Sequence, residues 1–160
     1  MKQIFIALML LSRVCSADVG GQVNIAEKTY PSYFISYDKD WFELGVSFGQ
    51  TSKNEIKETI FIERSTPPMP IVVRKETISE NIDINIFEIY TTASYTHNAL
   101  RIGLGPQITI LEYGESEVLF GGRVFGELMW NDISLIGGYK WVQDGYFDTS
   151  GFYTGLSINF

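Results

Sequence analysis

The 160-residue chain has one cysteine and one histidine. Little site chemistry survives that shortage. Cys15 lies in the opening MKQIFIALMLLSRVCSA, where Lys2 precedes an apolar run from Ile4 to Leu11 and small residues follow. This is the layout of a secretory signal peptide spanning residues 1–17, with cleavage expected after Ala17. A lipoprotein cut before Cys15 fits poorly, because Ser12, Arg13 and Val14 stand where a Leu and small residues are needed. The exported chain, residues 18–160, then has no thiol. That excludes disulfides, cysteine nucleophiles and the usual zinc sites, and leaves stability to packing and backbone pairing.

Positive charge is scarce as well. Loss of Lys2 and Arg13 lowers the 12 basic residues to 10, against 19 acidic ones, for a formal net charge of −9. Nucleic acid is therefore excluded as a partner. Long apolar runs are missing after the signal, and none approaches the roughly 18 to 20 residues of a spanning helix. If the mature chain enters a membrane, it enters as a barrel.

What the sequence has is alternation. From Asp18 onward the period is two and no helical period stands out. Phe152, Thr154, Leu156, Ile158 and Phe160 share one face, with Tyr153, Gly155, Ser157 and Asn159 on the other. Residues 133–143 set Ile133, Leu135, Tyr139 and Trp141 against Ser134, Gly138 and Lys140. Residues 118–130 set Val118, Phe120, Val124, Leu128 and Trp130 against Arg123 and Glu127. Residues 100–113 set Leu100, Ile102, Leu104, Ile108 and Ile110 against Arg101, Gly103, Gly105, Gln107 and Thr109. In residues 82–96 the apolar set changes phase between Ile86 and Phe87, as a β-bulge would cause. Residues 41–50 place Phe42, Leu44, Val46 and Phe48 opposite Glu43 and Ser47.

Strands of about ten residues, separated by turn chemistry such as Asn131-Asp132, Gly114-Glu115 and Asp144-Gly145, predict an all-β, antiparallel up-and-down barrel. Eight strands are preferred. The first runs from Gln22 to Tyr37, followed by a loop at Asp38–Asp40, a second strand over 41–50, a turn at Thr51–Asn54 and a third strand over 55–64. A long loop then covers residues 65–81, with Pro67, Pro68 and Pro70. The alternative count is ten, with residues 71–78 promoted to a strand and the first strand split at Pro31. Either way, proline is expected outside strand interiors.

Alternation allows two polarities. A soluble lipocalin-like binder points its apolar face inward, whereas an outer-membrane barrel points it at lipid and keeps charge in the lumen. Glycines on the polar face (Gly103, Gly105, Gly138, Gly155) and aromatics near segment ends (Trp41, Tyr113, Trp130, Trp141, Phe160) favour the second. So does the end of the chain. Tyr153-x-Gly155-x-x-Ile158-x-Phe160 resembles the carboxy-terminal insertion signal of small bacterial outer-membrane barrels of the OmpX and OmpA-barrel type. The resemblance implies a transmembrane barrel in the bacterial outer membrane, read by the barrel insertion machinery and surrounded by outer-membrane lipid and lipopolysaccharide. It also implies that Phe160 lies at the periplasm. The turns at His97-Asn98 and Asn131-Asp132 are then periplasmic, and residues 114–117 and 144–150 lie outside.

On this reading Glu43, Glu88, Arg101, Arg123, Glu127 and Lys140 form a charge cluster in the lumen. The interior of an eight-strand barrel is only wide enough for side chains to fill it, so a salt-bridged plug is expected rather than a pathway. His97 would have to serve any Ser-His-acid site, such as that of a lipid A-modifying acyl hydrolase or transferase. Its short turn, without a His-x-Ser-Asn stretch, makes solvated filling the better reading. Asp38 with Asp40, or Asp144 with Asp148, could hold calcium only loosely. No catalytic residue, cofactor or metal site is assigned. Tyr146 and Phe147 are candidate contacts to an extracellular ligand. The expectation is a monomeric, non-enzymatic barrel with a structural, surface-interaction or adhesion role.

Overall fold

Alternating side chains suit a pleated strand, because successive residues point to opposite faces and one face can be covered while the other meets a different solvent. A computed structural model describes residues 17–39, 41–63 and 72–160. It contains eight strands: β1 (Ala17–Ile25), β2 (Thr29–Lys39), β3 (Phe42–Glu63), β4 (Val72–His97), β5 (Leu100–Glu112), β6 (Ser116–Trp130), β7 (Ile133–Val142) and β8 (Gly151–Asn159). They form a closed barrel in sequence order. No helix occurs among the described residues. Antiparallel pairing of β1 with β8, from Asp18 opposite Asn159 to Ile25 opposite Phe152, closes the ring. The Phe160 N–H donates to the Ala17 carbonyl at 3.1 Å. The expected signal peptide and the proline cluster lie outside the described residues, apart from Ala17, which opens β1.

The count of eight holds, but its first half is cut differently. The expected first strand, 22–37, contains a connection at Ala26-Glu27-Lys28, so it becomes β1 and β2. That connection has none of the Gly, Pro, Asn or Asp that usually marks a turn. Residues 51–54, expected as a turn, lie inside β3, which runs unbroken for 22 residues. Residues 72–81, expected as loop, are the start of β4. Period-two reading fails there because residues 56–58 and 77–81 are exposed on both faces, so neither face is marked by burial. Splitting one strand and merging two leaves the total unchanged. It also moves Asp38 from a loop on one side to the opposite end of the barrel.

Pro31 lies within β2, opposite Val23. The ladder between β2 and β3 begins only at Ser32, so the missing N–H of Pro31 removes no bond from it. The expected bulge is absent, since β4 pairs with β5 through Ile86 opposite Leu111 and Phe87 opposite Ile110 without an inserted residue. The phase change has another cause. Ile84 and Ile86 point into the lumen with Glu88 and Tyr90, and Phe87 and Ile89 point out.

By compactness the chain divides into two units, residues 1–51 with 84–160, and Ser52–Asp83. The second unit is made of the remaining lengths of β3 and β4, where Lys57 Nζ donates to Glu80 Oε2 at 2.9 Å. In the first unit Asn98 and Asn131 take positive φ (54° and 53°) at the β4–β5 and β6–β7 turns. This end, which also holds the β2–β3 connection, is called the turn end. The opposite, loop end carries residues 26–28, 113–115 and 143–150. Glycine matters most where rings lie flat on the inner wall. The Tyr90 ring occupies the place of a Cβ on Gly45, and Phe125 does the same at Gly103.

Candidate functional site

The polar faces of the strands converge on the lumen and fill it in layers. At the turn end, the Arg101 guanidinium reaches three acids. Nη1 and Nη2 lie 2.8 Å from the two Asp38 carboxylate oxygens, a bidentate pairing. Nη2 is 3.3 Å from Glu43 Oε2, and Nη1 is 3.4 Å from Glu127 Oε2. Thr92 Oγ1 donates to Glu43 at 3.1 Å, and the Phe125 ring lies 5.5 Å from the guanidinium carbon. Arg101 is buried, and the carboxylates around its two terminal nitrogens make burial of its charge tolerable.

Above this layer Arg123 has aromatic neighbours. Its guanidinium carbon is 3.8 Å from the Tyr90 ring centroid and 4.6 Å from that of Tyr153. Nη2 and Nε donate to the Tyr153 hydroxyl at 2.7 and 3.1 Å. Arginine suits this position because its planar, weakly hydrated cation stacks on ring faces. Phe34, Phe125, Ile136 and Tyr153 pack together at this level.

Next comes the Glu88–Lys140 pair, with both side chains 2% exposed. Lys140 Nζ donates to Glu88 Oε1 and, at 2.8 Å, to the Tyr30 hydroxyl. Ser47 Oγ donates to Glu88 Oε2 at 2.7 Å, and Gln107 Nε2 to Glu88 Oε1 at 3.1 Å. The loop end is apolar: Tyr30, Ile84, Ile86, Leu111, Leu119 and Phe147 form one buried cluster. Phe147 comes from the β7–β8 connection, whose ends are held by Ser150 Oγ on the Val142 backbone and by Tyr146 N–H on Glu117 Oε2 at 2.9 Å.

Of the six charged residues placed in the lumen from the sequence, Glu43, Arg101 and Glu127 meet in one layer and Glu88 and Lys140 in another. Arg123 stands between them. Asp38, which the sequence places in an outer loop beside Asp40, instead joins the Arg101 layer from β2, because its connection lies at the turn end. Two members of the apolar plug, Ile84 and Ile86, cause the phase change for which the sequence suggests a bulge. Phe147 is fully buried in that plug, so it is not an exposed contact. Tyr146 is half-buried at the rim and stacks on Tyr113, with centroids 4.0 Å apart and planes 15° apart. Asp148 and Asp144 are exposed, whereas Asp40 lies outside the described residues. His97 is exposed on the outer face, the face opposite to that of Arg101. Tyr153 and Gly155 face inward, Ile158 and Phe160 outward. Among the described residues, no three His, Cys, Asp or Glu side chains come together as a metal site.

The outside has the reverse chemistry. Exposed large apolar residues ring the barrel, including Val23 and Ile25 on β1, Leu44 and Phe48 on β3, Phe87 and Ile89 on β4, Ile102 and Leu104 on β5, Phe120 and Val124 on β6, Leu135 on β7 and Leu156 on β8. The apolar interior of a lipocalin-like binder is thereby excluded, since the ionic side chains lie in the lumen and, apart from the cluster at the loop end, the large aliphatic ones lie outside.

No family model matches the chain, and no curated protein does. Among solved structures, Neisserial surface protein A resembles it at 12% identity over 91% of this chain and 95% of that one, with a TM-score of 0.48. The attachment invasion locus protein of Yersinia pestis, solved with the heparin analogue sucrose octasulfate, resembles it at 12% identity over 91% and 97% of the two chains, with a TM-score of 0.43.

Proposed function

We propose that the protein is a small, monomeric, non-enzymatic barrel of a bacterial outer membrane, with its turn end in the periplasm, a sealed lumen and a surface-interaction role carried by its loop end. The inverted polarity carries this reading. Water-soluble monomers rarely leave apolar patches of more than a few hundred Å² uncovered, and here the apolar surface continues from strand to strand around the barrel. Hydrocarbon is the solvent in which such a surface is stable, and closure of the sheet leaves no backbone edge unpaired there.

The lumen supports a plug rather than a pore or an active site. Its cations are held by carboxylates or ring faces, and the apolar cluster around Phe147 blocks the loop end. Binding therefore falls to the outer rim, where Tyr113 and Tyr146 stack beside Glu115 and Glu117 and where lipopolysaccharide or an external ligand would be met. Strand β8 would carry the insertion signal through Tyr153, Gly155, Ile158 and Phe160.

The test is fractionation followed by unheated electrophoresis of the detergent-extracted protein, then planar-bilayer recording. Recovery in the outer membrane, faster migration before boiling and negligible conductance are expected. A water-soluble periplasmic protein would defeat the membrane reading, and steady unitary current steps would defeat the plug.

A further inference from the structure

On the outer wall near the turn end, a groove of about 310 Å³ runs over β4, β5 and β6. Its floor is Ala93, a small side chain between Thr91 and Tyr95 in the outward row of β4. Trp41 and Tyr95 flank it on one side, and Ile102, Leu104 and Val124 on the other. Trp41 is fixed over the groove because its carbonyl accepts the Ser94 N–H at 2.8 Å and its ring packs edge-on against Phe42, 6.0 Å between centroids. Both aromatic walls stand well clear of the barrel, Trp41 68% and Tyr95 66% exposed.

We propose that this groove holds one acyl chain of an anionic glycerophospholipid from the periplasmic leaflet, with its phosphate turned toward Lys39. The proposal rests on the membrane placement above. The groove opens onto the same apolar surface that faces hydrocarbon, so a lipid chain is its natural occupant. The two walls nearest the turn are a Trp and a Tyr, whose amphipathic rings favour the headgroup boundary. Lys39 ends β2 opposite Phe42 and is exposed. Among the described residues it is the one Lys or Arg at the turn end outside the lumen, which puts positive charge at the end of the barrel where the groove lies.

The test uses Trp41 as reporter, in a chain carrying Trp130→Phe and Trp141→Phe, reconstituted in phosphatidylcholine vesicles with increasing fractions of chain-brominated phosphatidylglycerol. A bound chain quenches Trp41 with an apparent affinity about threefold above random mixing. Ala93→Phe, which fills the floor, should return quenching to the random-mixing curve, and Lys39→Gln should remove the preference for the anionic lipid. If Ala93→Phe does not insert, as judged by loss of the mobility shift on boiling, Lys39→Gln alone decides. Quenching that follows mole fraction in the unaltered groove overturns the proposal while leaving the barrel in its membrane. No quenching by any brominated lipid would overturn the membrane placement itself.

Discussion

Replacing Lys140 by Met removes one charge from the middle of the lumen and little volume. Glu88 would then keep the hydrogen bonds from Ser47 and Gln107, which are present in both proteins and so cancel in the comparison. What is lost is the one cation hydrogen-bonded to that carboxylate among the described residues, and a donor to the Tyr30 hydroxyl. Leaving one member of a buried ion pair without its partner costs about 3–5 kcal/mol. Changing Glu88 to Gln as well removes the stranded charge, while the amide can still accept from Ser47 or Gln107. The double variant should therefore be more stable than Lys140→Met by about 2 kcal/mol, within the range of coupling energies measured between contacting residues.

Urea unfolding and refolding in phospholipid vesicles, followed by tryptophan fluorescence and checked by mobility on unheated gels, measures both quantities. The reasoning fails if Lys140→Met costs less than about 1 kcal/mol, because Glu88 would then be solvated or otherwise compensated. It fails equally if adding Glu88→Gln makes the protein less stable than the single variant. That would mean the carboxylate serves Ser47 and Gln107 more than it serves Lys140.

Phe147→Ala should open a void in the apolar plug and destabilise the barrel by about 3–5 kcal/mol in the same vesicle assay. Planar bilayers should still show no steady current, because Tyr30, Lys140 and Glu88 close the lumen beneath; a conducting variant would make Phe147 the seal by itself. Phe160→Ala should slow assembly into outer-membrane-lipid vesicles by the insertion machinery in proportion far greater than any loss of equilibrium stability, since its side chain is exposed. Equal effects on rate and stability would make it an ordinary packing residue.

Strands five to eight were legible because each buries one face in the lumen and offers the other to a different environment, so period two is written plainly from Leu100 to Phe160. The charged residues of the lumen were legible for the same reason. Legibility failed at Ala26-Glu27-Lys28, where a connection uses ordinary residues. It failed again over residues 51–58 and 76–81, where β3 and β4 have no buried face to set a period. The partners of each charge could not be read at all. Alternation says that Lys140 points inward, but Glu88 lies three strands away across the lumen, and nothing local links the two.

That distance bears on how the barrel is specified. In the β6–β7 ladder Arg123 stands directly opposite Lys140, a like-charge pairing that is unfavourable between neighbours. Each escapes by reaching away from the shared seam, Lys140 to Glu88 on β4 and Arg123 to Tyr90 on β4 and Tyr153 on β8. Arg101 on β5 likewise reaches Asp38 on β2 and Glu43 on β3. An open sheet would leave these contacts unmade and the β6–β7 repulsion unrelieved, because β4 faces β7 only after the ring has closed. A register slip of one residue would turn the same charges onto the apolar outer face. The lumen contacts thus reward one closed register over open or slipped sheets, which is a physical reason for a narrow barrel to fill its interior with charge when aliphatic side chains would occupy the space as well.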